Sequence, residues 1–183
     1  MRAIVHRLGI SRDRHAEQPR QVSDGSTMTS TTADHVTERV LATLYDYLDR
    51  VDANDAEGAA AHFADDGWAD YMTGRRLDGP AHIARALATL LANFSVTSHH
   101  VTNPRVQVED GRGRLRAYVY AYHRLVETGR PWHFWGRYEA QLEWRGQTWK
   151  FTELTLIGVD SEPEWHLAPA SSFAGHPGRN RVD

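Results

Sequence analysis

The sequence predicts an α+β domain in which a cone-shaped, curved antiparallel sheet wraps around N-terminal helices and encloses a pocket. Three observations predict it. Apolar residues recur at helical spacing as far as about residue 94 and at strand spacing from there to about residue 159. The long strand segments are joined by short glycine-bearing connections, as antiparallel hairpins require. The chain of 183 residues, 40% hydrophobic and 10% aromatic, is long enough for one core. Helices followed by a meander of strands pack on one face of the sheet, and a sheet rolled around a helix leaves a cavity for a ligand.

Residues 1–30, rich in Arg, Ser, Asp, Gln and Thr and without sustained periodicity, are expected to be a disordered extension, with Met28 as a candidate true start. Val36, Val40, Leu41, Leu44, Tyr47, Leu48 and Val51 follow at spacings of three and four, a helical face that Thr32 or Asp34 could cap. The stretch ANDAEGAAAHFADDG reads as a second helix, capped near Asn54 or Asp55 and released at Gly67. A short strand at about 68–72 and a turn at TGRR lead to a third helix with Pro80 in its first turn. Four long strands are predicted over 96–109, 114–127, 131–144 and 147–159. The folded domain is thus expected over residues 31–160. Residues 161–183, broken by Pro163, Pro169 and Pro177, form a tail in which Trp165, His166 and Phe173 could lie across the domain.

Bulk properties narrow the chemistry. A formal net charge of −3 gives no electrostatic footprint for nucleic acid. With no cysteine, thiolate nucleophiles and thiolate-ligated zinc are excluded. No apolar run approaches a membrane span or a secretory signal, so a cytoplasmic protein without membrane attachment is expected. The eleven histidines form no spaced ligand motif, and neither a glycine-rich phosphate loop nor a serine nucleophile elbow is present. No metal and no organic cofactor are expected. Lys150, the only lysine, lies in WKF, where a surface role is expected.

YLDRVDANDAEGAAAHFADDGWADY, then a glycine-initiated helix, TSHHVTNPRV and GRYEAQLEWRGQTWKF together resemble the nuclear transport factor 2-like superfamily, and within it the SnoaL-like and scytalone dehydratase-like branch. The resemblance spans roughly residues 34–158. It implies the cone fold, but its members include dehydratases, isomerases, cyclases and non-catalytic binders, so function has to come from the pocket.

Carried over residue by residue, the resemblance to the scytalone dehydratases implies a site. In TSHH, Thr97 and His99 fall on their threonine and general-base histidine, and Asp52 on the aspartate that supports that histidine; their preceding tyrosine is replaced by Val51. Successive side chains on a strand face opposite ways, so His100 is expected to point away from the cavity. Tyr71 falls where those enzymes have a carbonyl-polarising tyrosine and where ketosteroid isomerases have their aspartate base, which disfavours isomerase chemistry of that type. A cavity-wall role would equally suit Tyr71. Tyr47 falls on the isomerases' oxyanion tyrosine but also fits the core face of the first helix. His123, sharing a strand face with Ala117, Val119 and Ala121, is the counterpart of the second catalytic histidine. On the next strand Trp135, Arg137, Glu139 and Gln141 share a face. EAQLEW resembles the dehydratases' SANLHW, which places Glu139 and Gln141 on substrate-binding positions; Trp135 and Trp68 complete the expected binding set.

The expected function is a cofactor-independent lyase or isomerase, a dehydratase or cyclase, acting on a small apolar carbonyl compound such as an aromatic polyketide intermediate. A non-catalytic small-ligand binder or a small structural subunit of a ring-hydroxylating oxygenase is the alternative. Aromatic residues Tyr118, Tyr120, Tyr122, Trp132 and Trp144 suggest an exposed sheet face that makes a homo-oligomer, a dimer or trimer.

Overall fold

Residues 27–163 are described by the structure, a computed structural model. Val40, Leu44, Tyr47, Leu48 and Val51 line one stripe of α1 (Thr27–Asp52), and all five are buried. The helix begins earlier than the sequence suggests: Thr32 and Asp34 lie inside it instead of capping it, and residues 27–30 of the expected loose extension are helical. Once the apolar stripe anchors the later turns, extension at the N-terminal end needs propagation only, without a new nucleus. Residues 1–26 and Trp165, His166 and Phe173 lie outside the described residues.

Asp55 caps α2 (Ala56–Ala60) by accepting a bond from the Gly58 amide at 2.8 Å. The second helix is shorter than expected, because FADD joins the sheet as the start of β1 (Phe63–Tyr71), with Phe63 opposite Phe151. An irregularity between Phe63 and Trp68 follows, and Gly67 makes it feasible: a Cβ there would sit 2.5 Å from the Phe151 carbonyl oxygen. β2 (Leu77–Asp78) precedes α3 (Pro80–Leu91), which starts at Gly79 with φ +75° and buries Ile83, Ala84, Leu87 and Leu91.

β3 (Phe94–Glu109), β4 (Arg112–Leu125), β5 (Pro131–Arg145) and β6 (Thr148–Glu162) form the expected antiparallel meander in a six-stranded sheet of order β2-β1-β6-β5-β4-β3. The sheet is mixed, however, and not antiparallel throughout, since β1 runs parallel to β6. Parallel neighbours need a long crossover, which α3 and the meander supply between β1 and β6. The class remains α+β, with an unclosed sheet around the helices.

One sheet face carries Leu115, Ala117, Val119, Ala121 and His123 of β4, Trp132, Phe134, Tyr138 and Leu142 of β5, and Phe151, Leu154 and Leu156 of β6, all buried with the apolar sides of α1 and α3. Asn103, at φ +50°, lies at a bulge in β3 that resets the alternation, so that Val101 opposite Val119 and Val106 opposite Leu115 both face the core. Among the described residues no helix is long and apolar enough to cross a membrane.

Candidate active site

The end of α1 meets β3 at one carboxylate. Asp52, the last residue of the helix, accepts three bonds from β3: the Thr97 hydroxyl at 2.8 Å, the His99 backbone amide at 2.8 Å, and His99 Nδ1–H at 2.6 Å. Burial by itself would raise the Asp52 carboxyl. The hydrogen bonds from His99 and from the Thr97 hydroxyl outweigh it and hold the group below the usual carboxylate value. With Nδ1–H directed at the carboxylate, the neutral form of His99 carries its lone pair on Nε2, which no described residue bonds. A notch of about 260 Å³ between α1 and β3, lined by Tyr45, Leu48, Asp49, Asp52, His99 and Val101, keeps the Asp52 side chain 28% exposed while His99 is 9% exposed. His100 takes the other strand face, where it meets Ser98 and the Tyr120 ring.

His123, opposite Thr97 on β4, stands edge-on to His99 with ring centroids 5.4 Å apart. Packed against Phe94 and Trp132, it is 5% exposed, and its Nδ1 has no partner among the described residues. Burial, helped by the neighbouring His99, pushes its imidazole down to about 3, so it is neutral at ordinary pH and cannot hold a reserve proton. Its side chain is also hydrogen-bonded to the Trp132 backbone. The depressed value has a stability consequence. Between about pH 6.5 and pH 3 the unfolded chain binds a proton at this residue that the folded chain refuses, so stability falls as pH falls, by up to about 1.4 kcal/mol per pH unit. His123→Phe should flatten that part of a urea-denaturation series run against pH.

On the same interior, the Tyr47 hydroxyl donates to the Tyr71 hydroxyl at 3.0 Å, leaving the Tyr71 proton available to another acceptor. Burial raises both phenols, so both are neutral. Tyr138, placed in line with Ala117 and Leu156 across the sheet, is a third buried phenol that sequence reasoning did not select. Its signal was the apolar alternation of β5, which puts Phe134, Tyr138 and Leu142 together.

Four expected binding residues are not brought to His99. Gln141 lies on the outer sheet face and donates to Glu153 at 2.6 Å; Glu139, on the same face, pairs with Arg137 at 3.0 Å. Trp135 is exposed beside Tyr120, and Trp68 is covered by the Arg76 guanidinium at 4.9 Å, opposite Glu153. The physical reason is burial. The apolar alternate positions of β5 take the core face, which forces its polar set outward. Trp132 is likewise corrected, being buried against Phe94 and His123; Trp144 is exposed as expected but packs on Trp149 and Arg39, apart from the three tyrosines of the outer face. Among the described residues no group of three or more histidine or acidic side chains is arranged to hold a metal.

The SnoaL-like domain profile matches residues 35–155. Among solved structures, the chain is similar to a candidate scytalone dehydratase from Novosphingobium aromaticivorans, at 24% identity over 85% of this chain and 100% of the other, with TM-score 0.71. A candidate aromatic ring hydroxylase from the same organism is 25% identical over 68% of this chain and 89% of its own, with TM-score 0.63. A hexachlorocyclohexane dehydrochlorinase, LinA-type3 from Novosphingobium barchaimii, is 19% identical over 78% and 99%, with TM-score 0.64. The first and third likenesses, under 25% identity, speak for the fold alone. No curated protein matches the chain.

Proposed function

The chain belongs to the SnoaL-like domain family, and from that premise we propose that it is a cofactor-independent lyase that removes water from a small, apolar β-hydroxy carbonyl compound, such as an aromatic polyketide intermediate. The observation that carries this reading is the Asp52–His99 pair, with Nδ1–H bonded to the carboxylate and Nε2 left as a base. His99 Nε2 takes the proton α to the carbonyl, and the C–H electron pair becomes the C=C bond of an enolate. Tyr71 donates to the enolate oxygen. The enolate then expels the β-hydroxyl; the C–O bond breaks, and the proton held on His99 passes to the departing oxygen to make water. The same enolate could attack within the substrate and close a ring, which makes the cyclase outcome a variant of the same first step.

The test is the appearance of conjugated-enone absorbance when the purified protein meets a panel of bicyclic β-hydroxy ketones. Turnover supports the lyase reading. Tight binding without turnover across the panel favours the second reading, a binding protein or small subunit of an oxygenase, to which the likeness to a candidate ring hydroxylase lends support. A cytoplasmic location fits either. For assembly, the outer face bearing Tyr118, 42% exposed, with Tyr120 and Tyr122 is proposed to seat a second copy of the chain. Sedimentation velocity should give a dimer or trimer mass that falls when Tyr118 is replaced by Glu; a monomer in the wild type would overturn this.

A further inference from the structure

Tyr138 is 3% exposed, yet no described residue bonds its hydroxyl. A buried phenol whose oxygen lacks a partner forfeits a hydrogen bond it could make to water, so such a group calls for a reason. The hydroxyl is also not among the fully occluded polar atoms without partners, a set that includes His123 Nδ1. Its oxygen therefore keeps some accessible surface although the residue as a whole is buried. Its position supplies the rest. Tyr138 pairs with Leu156 of β6, and Leu156 pairs with Tyr71 of β1, so the two tyrosines stand in one cross-strand row on the inner face, one strand apart. Tyr71 feels the Tyr138 phenol, and Tyr138 in turn feels Tyr47 and Asp52. Tyr71 already accepts from Tyr47 and has one proton to give.

We propose that Tyr138 is a catalytic residue whose hydroxyl donates, together with that of Tyr71, to the carbonyl oxygen of the substrate. The assignment rests on the lyase reading for its reaction but concerns a binding geometry that can be measured without turnover. Two neutral donors on one oxygen suit a neutral carbonyl, that of a ketone or an aldehyde.

The test uses 1-tetralone carrying ¹³C at its carbonyl, bound to the full chain and read by difference infrared spectroscopy. Wild type should shift the carbonyl band to lower frequency than in a hydrocarbon solvent. Tyr138→Phe and Tyr71→Phe should each recover part of that shift, and the double variant nearly all of it. Both substitutions keep the buried ring, and circular dichroism confirms the fold of each variant. On a β-hydroxy ketone that turns over, Tyr138→Phe should lower kcat by about 10²-fold with KM changed far less. A band that does not move on replacing Tyr138, or a wild-type protein that takes up no ketone, overturns the assignment. Failure of the lyase reading looks different: the band shifts as expected in every variant, while no β-hydroxy ketone is dehydrated.

Discussion

Replacing His99 with glutamine lowers kcat/KM for dehydration by about 10²–10⁴-fold, the usual contribution of a positioned general base. Glutamine is the informative choice because its amide can still donate to Asp52, so the junction between α1 and β3 keeps one of its three bonds from a side chain at this position. What it lacks is a basic lone pair where Nε2 stood. Ligand affinity should change little, since the base acts on the transition state more than on the bound ground state. Equal turnover by wild type and variant would remove His99 from the chemistry.

Asp52→Asn is expected to be nearly as damaging to turnover, for a different reason. The carboxylate accepts from the Thr97 hydroxyl, the His99 amide and His99 Nδ1–H at once. An asparagine offers one acceptor oxygen and an NH₂ that opposes the remaining donors. The imidazole then loses both its fixed tautomer and the anion that stabilises its protonated form, and a loss of about 10²-fold or more in kcat follows. The same variant has a stability signature. Because the folded-state value of Asp52 is lowered from 3.8, its contribution is fully present above that value and lost as pH falls through the lower folded value. The destabilisation by Asp52→Asn should therefore be constant near neutrality and shrink below about pH 4 in denaturant titrations; a difference that grows on acidification would contradict the bonding described.

How far the site was legible depended on what kind of signal each residue carried. His99 and Asp52 are fixed by local rules, the alternation of a strand and the end of a helix, and the TSHH resemblance told the two histidines apart. The stripe of Val40, Leu44, Tyr47, Leu48 and Val51 was legible for the same reason: its period is local. Gln141 and Glu139 were misplaced because a motif resemblance was followed against the apolar alternation of their own strand. Phe134, Tyr138 and Leu142 are the buried set, and hydrophobic burial decides the face. Tyr138 was missed by the same step. The parallel pairing of β1 with β6 joins segments about 85 residues apart in sequence, and no local pattern encodes it. Trp132 was mistaken for surface because an aromatic beside polar neighbours looks alike on either face until the register with His123 is known.

The central claim is that His99, held by Asp52, removes a proton α to a carbonyl. Its most direct measurement is proton NMR of a β-hydroxy ketone, or of the parent ketone lacking the hydroxyl, incubated with the protein in D₂O. Wild type should replace the α proton with deuterium or lose it by elimination, His99→Gln should do neither above the buffer rate, and Tyr138→Phe should do so more slowly. A ketone seen bound to the wild type by its altered line widths, yet exchanging its α proton no faster than in buffer, would contradict the account.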